Sequence, residues 1–173
     1  MSSPTIREMT LADCERVSEI RIRGWQHAYR GLMPQPYLDG LSVTADAERR
    51  RTWFAEGNGS VVNLVAELDG TVVGWAAHGP YRDGETRTGD AELYAIYVDP
   101  DAWSTGAGRA LMAVAEEALA SEYTAALLWV LEDNPRARGF YERAGFRPDG
   151  AEEPFEVDGV PVPEVRYVKT LGG

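Results

Sequence analysis

The chain reads as a mixed α/β (α+β) fold, a sheet flanked by helices, and three observations predict it. Strand-like runs at 61–79 and 91–98 follow one another with no helix between them, which argues against a pure doubly wound sheet. Apolar residues recur at helical spacing before and after those strands. The run "AALLWVL" (125–131) is apolar throughout, as a central strand is.

Each element has its own local reason. "TIRE" (5–8) is a short strand, and Thr10 with Asp13 forms a capping box. Leu11, Cys14, Val17 and Ile20 then carry a helix to about Tyr29. Gly and Pro punctuate 31–42 as a turn region with one helical turn. Thr44 is the expected cap of a second long helix ending near Gly57, with Asp46 and Glu48 in its first turn. Asp69-Gly70 joins two strand runs through a type I′ turn. Residues 81–90 read as a polar loop and 91–98 as the next strand, ended by Asp99-Pro100. The helix after Gly108 places Leu111, Val114, Ala115, Ala118 and Leu119 on one face. Asn134 caps a further helix, with Pro135 at its first position and Gly145 at its end. Two last strands fall from Phe146 onward and at 164–171.

Composition bounds the function. A chain of 173 residues is long enough for one domain, 1–173, with a full core. The start "MSSPTIREMT" lacks the features of a secretory signal, and no apolar run is long enough to span a bilayer. A single cysteine, Cys14, and two histidines, His27 and His78, leave no Cys- or His-rich metal site, so no metal is expected. Cytoplasmic localisation fits best. A net charge of −11 repels nucleic acid and attracts a cationic substrate such as an amine.

The stretch "DAWSTGAGRALM" (101–112) is the first candidate for chemistry. Glycines between a strand and a helix let N–H groups converge on an anion at the helix N-terminus. A phosphate-binding Walker loop would need Lys and then Ser/Thr directly after its last glycine, where Arg109 and Ala110 follow Gly108. A dinucleotide fingerprint would need a third small residue where Leu111 stands. A pyrophosphate fits what is left, and a plain strand–helix turn stays open.

A second stretch, "NPRARGFYERAGF" (134–146), follows one strand later. Together the two resemble the GCN5-related N-acetyltransferase (GNAT) superfamily. "WSTGAG" matches its Gln/Arg-x-x-Gly-x-Gly/Ala loop except at Trp103. Asn134, Ala137, Phe140, Tyr141, Gly145 and Phe146 match its later motif. The resemblance implies a mostly antiparallel sheet of about seven strands flanked by about four helices, with a splayed parallel pair holding the cofactor. It implies acetyl-CoA as donor, no metal, a small-molecule amine acceptor, no nucleic acid or membrane partner, and homodimers as a common assembly. The alternative class is a non-catalytic acyl-CoA-binding or sensory module on the same fold.

By the same resemblance, backbone N–H groups of Ser104, Thr105, Gly106, Ala107, Gly108 and Arg109 cradle the pyrophosphate. Ile96, Tyr97 and Val98 lie along the pantetheine arm, with backbone pairing through Ile96 and Val98 and a backbone N–H near Val98 polarising the thioester carbonyl. Glu92 is the candidate base; the other reading of it is a carboxylate at an exposed strand start or paired with an arginine. Tyr141 is the candidate acid, with a core aromatic as the other reading. Asn134 caps its helix and contacts the cofactor. Trp25, Tyr29, Glu92 and Tyr94 are the candidate acceptor residues, although Trp25 and Tyr29 are equally readable as core. Arg136 and Arg138 either meet the ribose phosphate of CoA or are solvated helix charges.

Overall fold

The computed structural model describes residues 2–57, 59–83 and 86–172. Strand β1 (Thr5–Glu8) leads through a 3-10 turn into α1 (Cys14–Ala28), and the Thr10–Asp13 capping box is formed. A five-residue helix, α2 (Gln35–Asp39), precedes α3 (Val43–Glu56). Strands β2 (Val62–Leu68), β3 (Thr71–Asp83) and β4 (Thr86–Val98) follow, then α4 (Ala107–Ala120), β5 (Ala125–Leu131) and α5 (Pro135–Arg143). The chain closes with β6 (Arg147–Glu153), a small hairpin of β7 (Glu156–Val157) and β8 (Val160–Pro161), and β9 (Glu164–Thr170). The seven-stranded sheet runs β1-β2-β3-β4-β5-β9-β6, antiparallel except between β4 and β5.

Strand alternation divides the core. On one face, α4 and Tyr141 of α5 pack on Leu64, Ala66, Ala76, Leu93, Leu128 and Tyr167. On the other, α1 buries Cys14, Val17 and Ile20 against Val65, Val72, Trp75 and Ala77. A smaller cluster of Met33, Leu38, Leu131, Val157 and Val162 joins the α1–α2 region to β5 and the small hairpin.

Four local expectations change. Helix α3 starts earlier than Thr44: Ser42 is the cap, extended and accepting the Ala45 N–H at 3.1 Å. Glu48 accordingly lies beyond its first turn, while Asp46 is buried against Arg21 and Arg50. The buried stripe of α4 is Ala107, Leu111, Met112, Ala115 and Leu119; Val114 and Ala118 are exposed, because the sheet meets the helix on the Met112 side. The expected polar loop 81–90 is mostly strand, since Arg82↔Arg87 and Asp83↔Thr86 continue the ladder and backbone pairing needs no apolar side chains. Residues 84 and 85 lie outside the described residues.

His78 on β3 is 2% exposed, and its Nε2 has no hydrogen-bond partner. Burial holds its pKa below the usual histidine value, with Glu122 opposing weakly. The folded protein therefore keeps His78 neutral while the unfolded chain takes up a proton, so stability falls as pH drops below about 6.5. In urea titrations, wild type should lose more stability between pH 7.5 and 5 than His78→Leu does. Equal losses in the two proteins would exclude this contribution.

Candidate active site

The site begins where two strands part. Strands β4 and β5 pair only at Ala91↔Ala126 and Glu92↔Leu127. Just beyond, the β3 ladder jumps from His78↔Leu93 to Ala77↔Ala95, so Tyr94 is an extra residue in a β-bulge. A bulge bends its strand and raises the local twist, and from here β4 diverges from β5. The Asp99 N–H bonds back to the Val73 carbonyl at 2.8 Å. Alternation along an extended strand then turns the backbone polar groups of Ile96 and Val98 toward the gap. The Tyr94 ring lies along β3 over Gly79, where a Cβ would stand 3.0 Å from it, and its hydroxyl donates to the Pro80 carbonyl.

The mouth of the gap is the loop into α4. Ser104 (φ 66°) and Gly106 (φ 92°) are both left-handed, and α4 starts with no side-chain cap on its N-terminal N–H groups. Ser104, Thr105, Gly106 and Arg109 are exposed, and Ala107 is buried. Thr105 Oγ1 donates to the Ala102 carbonyl at 2.6 Å and steadies the turn. A Cβ on Gly108 would touch both Phe140 of α5 and Val98 of β4, at 3.4 and 3.6 Å. Helix α4 thus enters between the two walls.

Asp99 anchors this loop. It is 3% exposed, accepts the Asp101 N–H at 3.0 Å, and binds Arg16 at 2.8 Å and Arg23 at 2.8 Å from α1. Burial pushes its pKa up, but the Asp101 N–H and the two guanidinium groups outweigh that and hold it below the usual carboxylate range.

Helix α5 forms the second wall. Asn134 accepts the Ala137 N–H at 3.3 Å, so its capping role is observed directly. Tyr141 is buried against Phe140, Phe146 and Tyr167. Burial, and then Tyr97, raise its pKa well above the usual phenol value. Facing it is an aromatic cluster that sequence reasoning only partly found. The Trp25 indole N–H donates to the Tyr97 hydroxyl at 2.7 Å, and Trp25 meets Tyr29 edge-on at 5.1 Å. The Tyr29 pKa is raised by burial, by Tyr97 and by Tyr141. The core reading of Trp25 and Tyr29 holds: their rings pack on the third core cluster, and the Trp25 indole also bonds to Tyr97. Buried Gly24 permits this, because a Cβ there would lie 3.2 Å from the Tyr97 ring.

Glu92 sits half-buried at the point where the strands part. Burial, Glu153 and Glu164 push its pKa up to about 7. Burial and then Glu153 raise Glu164 as well. Arg166, two residues along β9 from Glu164, is engaged by Asp149 at 2.7 Å and the Tyr81 hydroxyl at 3.2 Å. Among the described side chains, no cation pairs with Glu92, Glu153 or Glu164. The arginine-paired reading of Glu92 has no support among those side chains; Arg82 and Arg87 lie outside them. Glu153, Glu164 and Asp99 carried no motif, and only the fold brings them to the site.

A splayed parallel pair beside an uncapped helix N-terminus defines the class of fold. The sequence model for the acetyltransferase (GNAT) family matches residues 22–146, and the chain belongs to that family. It is 32% identical to an uncharacterized N-acetyltransferase of Bacillus subtilis, YuaI, over 93% of this chain and 90% of that one. Among solved structures it resembles a ribosomal-protein-alanine N-acetyltransferase of Brucella melitensis, with 27% identity, TM-score 0.76, and 96% and 99% of the two chains covered. It also resembles the PaiA N-acetyltransferase of Thermoplasma acidophilum in complex with coenzyme A, with 20% identity, TM-score 0.74, and 97% and 99% covered.

Replacing Asp99 with Ala removes the buried carboxylate that Arg16 and Arg23 share, leaving them Glu19 and Asp101, and frees the start of the loop. The variant should lose about 2 kcal/mol in chemical denaturation. A loss under about 0.5 kcal/mol would place Asp99 with ordinary surface ion pairs.

Proposed function

We propose that this protein transfers the acetyl group of acetyl-CoA to a primary amine of a small, cationic acceptor in the cytoplasm, by direct attack in a ternary complex. The parting of β4 from β5, with the uncapped start of α4 at its mouth, supports this reading most strongly. A slender, amide-bearing arm needs a free strand edge, and Ile96 and Val98 offer one. A pyrophosphate needs converging N–H groups, and residues 104–109 offer those, with Asn134 on the opposite wall. Tyr97 joins through its ring, which faces the acceptor side with Trp25 and Tyr29.

When bound, acetyl-CoA supplies the thioester carbonyl that the amine attacks. A backbone N–H near Val98 polarises that carbonyl. The acceptor arrives as an ammonium with a pKa near 10. An ordinary glutamate, near 4.3, is about six units too weak a base; with its pKa near 7, Glu92 closes about half of that difference. Glu92 takes the ammonium proton, directly or through water, and the free amine forms the C–N bond as the C–S bond breaks. Tyr141, kept protonated by burial, gives its proton to the departing thiolate and is reprotonated from solvent. The carboxylates Glu153 and Glu164, which have no cation among the described side chains, favour an acceptor with a second positive charge.

A thiol-release assay over an amine panel tests the reading: release should require an amine, with diamines preferred to neutral monoamines. Binding of acetyl-CoA without thiol release from any amine would instead support the non-catalytic alternative.

Glu92→Gln should lower kcat/KM about 100-fold and abolish an acid limb with an apparent pKa near 7. The pKa of Glu92 is raised in the folded state, so its contribution favours folding below about 4.5 and is lost as pH rises through about 7. The same variant should therefore be at least as stable as wild type at pH 8, which separates a lost base from a damaged fold. An unchanged pH profile would remove Glu92 from the chemistry.

Tyr141→Phe should lower kcat about 100-fold with little change in CoA affinity. Unchanged kcat would reject its role as the acid.

A further inference from the structure

Trp103 stands where the family pattern has Gln or Arg, and its surroundings give it a different task. Its indole N–H is already used, donating to the Val98 carbonyl at 3.0 Å. Its ring meets the His27 imidazole edge-on at 4.7 Å, at the end of α1. The Arg136 guanidinium of α5 lies over the same ring, 3.6 Å from its centroid. The other cation–ring contacts among the described residues span 4.5 to 5.8 Å. A residue of the loop before α4 thus holds a residue of the opposite wall, across the mouth of the gap.

The two arginines of the α5 start are not equivalent. Arg138 donates to the Tyr167 hydroxyl and to the Glu132 carbonyl, both at 2.8 Å, and is structural. Arg136 is exposed and has no carboxylate partner among the described residues. Its guanidinium lies over Trp103, the residue before Ser104. A guanidinium stacked flat on an indole keeps its edge donors free in a fixed fork, the geometry that grips a phosphate through two hydrogen bonds. Stacking also restricts its rotamers before any ligand arrives, which lowers the entropic cost of binding.

We propose that Arg136 is a phosphate-binding residue of the donor site and that Trp103 is the platform that positions it. The charge missing at position 103 is thereby delivered from the other wall. The inference rests on the reading of the gap as an acetyl-CoA site. Two phosphate groups of CoA share the required chemistry, the pyrophosphate and the ribose 3′-phosphate.

Calorimetric titration of the full chain with CoA, dephospho-CoA and pantetheine, together with steady-state kinetics, tests it. Arg136→Gln should weaken CoA binding about tenfold, the loss expected for a charged hydrogen-bonded contact. KM for acetyl-CoA should rise by a similar factor, with the smaller change falling on kcat and no weakening of pantetheine binding. A loss shared by CoA and dephospho-CoA assigns the pyrophosphate, and a loss confined to CoA assigns the 3′-phosphate. Trp103→Leu should act in the same direction, and Arg136→Gln added to it should cost little more. Trp103→Phe keeps the platform and drops the bond to Val98, so it should bind CoA within about threefold of wild type. Trp103→Arg should restore affinity to Arg136→Gln. Wild-type affinity in Arg136→Gln would overturn the proposal. Equal losses in Trp103→Phe and Trp103→Leu would overturn the platform role. Failure of the wild-type protein to bind CoA at all would instead overturn the donor-site reading.

Discussion

Two residue pairs decide what this fold can do. Strands β4 and β5 are parallel neighbours at Ala91–Ala126 and Glu92–Leu127 and nowhere else. The bulge at Tyr94 bends β4 away, and of the backbone groups that a continuous ladder would consume, the Val98 carbonyl is taken by Trp103 while the Val98 N–H and the Ile96 groups face a gap. Unpaired backbone in a protein interior is costly. A ligand with amides of its own would satisfy the same groups, so the physics that makes the gap an imperfection in the sheet also suits it to the binding role proposed for it.

The gap has to be held open at a defined width, and ionic and aromatic contacts do this from outside the sheet. Asp99 ties the end of β4 to Arg16 and Arg23 of α1. Trp103 joins the ends of β4, α1 and α5 through Val98, His27 and Arg136. Gly108 lets α4 sit against Phe140 and Val98 together. None of these residues needs to react for the site to depend on it.

Electrostatics divides the site in two. On the proposed acceptor side, Glu92, Glu153 and Glu164 crowd one another with no cation among the described side chains, and Glu92 is left poised near neutrality. On the proposed donor side, a helix N-terminus, the Arg136 guanidinium over Trp103 and the N–H groups of a left-handed loop present positive character. A protein of net charge −11 thus keeps a local anion site within an acidic surface.

The element order and both motif stretches were legible in the sequence, because they rest on local signals: the 3.6 and 2.0 periods, the Asn134-Pro135 cap, and the glycines of 106–108. The errors were also local. Ser42 and Thr44 are equally good caps as residue types, and only the packing of α3 chooses Ser42. Val114 and Met112 fit the apolar stripe of α4 equally well until the sheet selects a side. Glu92 and Tyr141 stood out in the sequence as candidates, yet nothing in the chain order joins Glu92 to Glu153 and Glu164 or Tyr97 to Trp25. The sequence by itself determined which elements form and which loop presents its N–H groups. The tertiary structure decided the width of the gap, the raised pKa of its carboxylates and the partner of Trp103, because burial and proximity between distant segments exist only once the sheet is assembled.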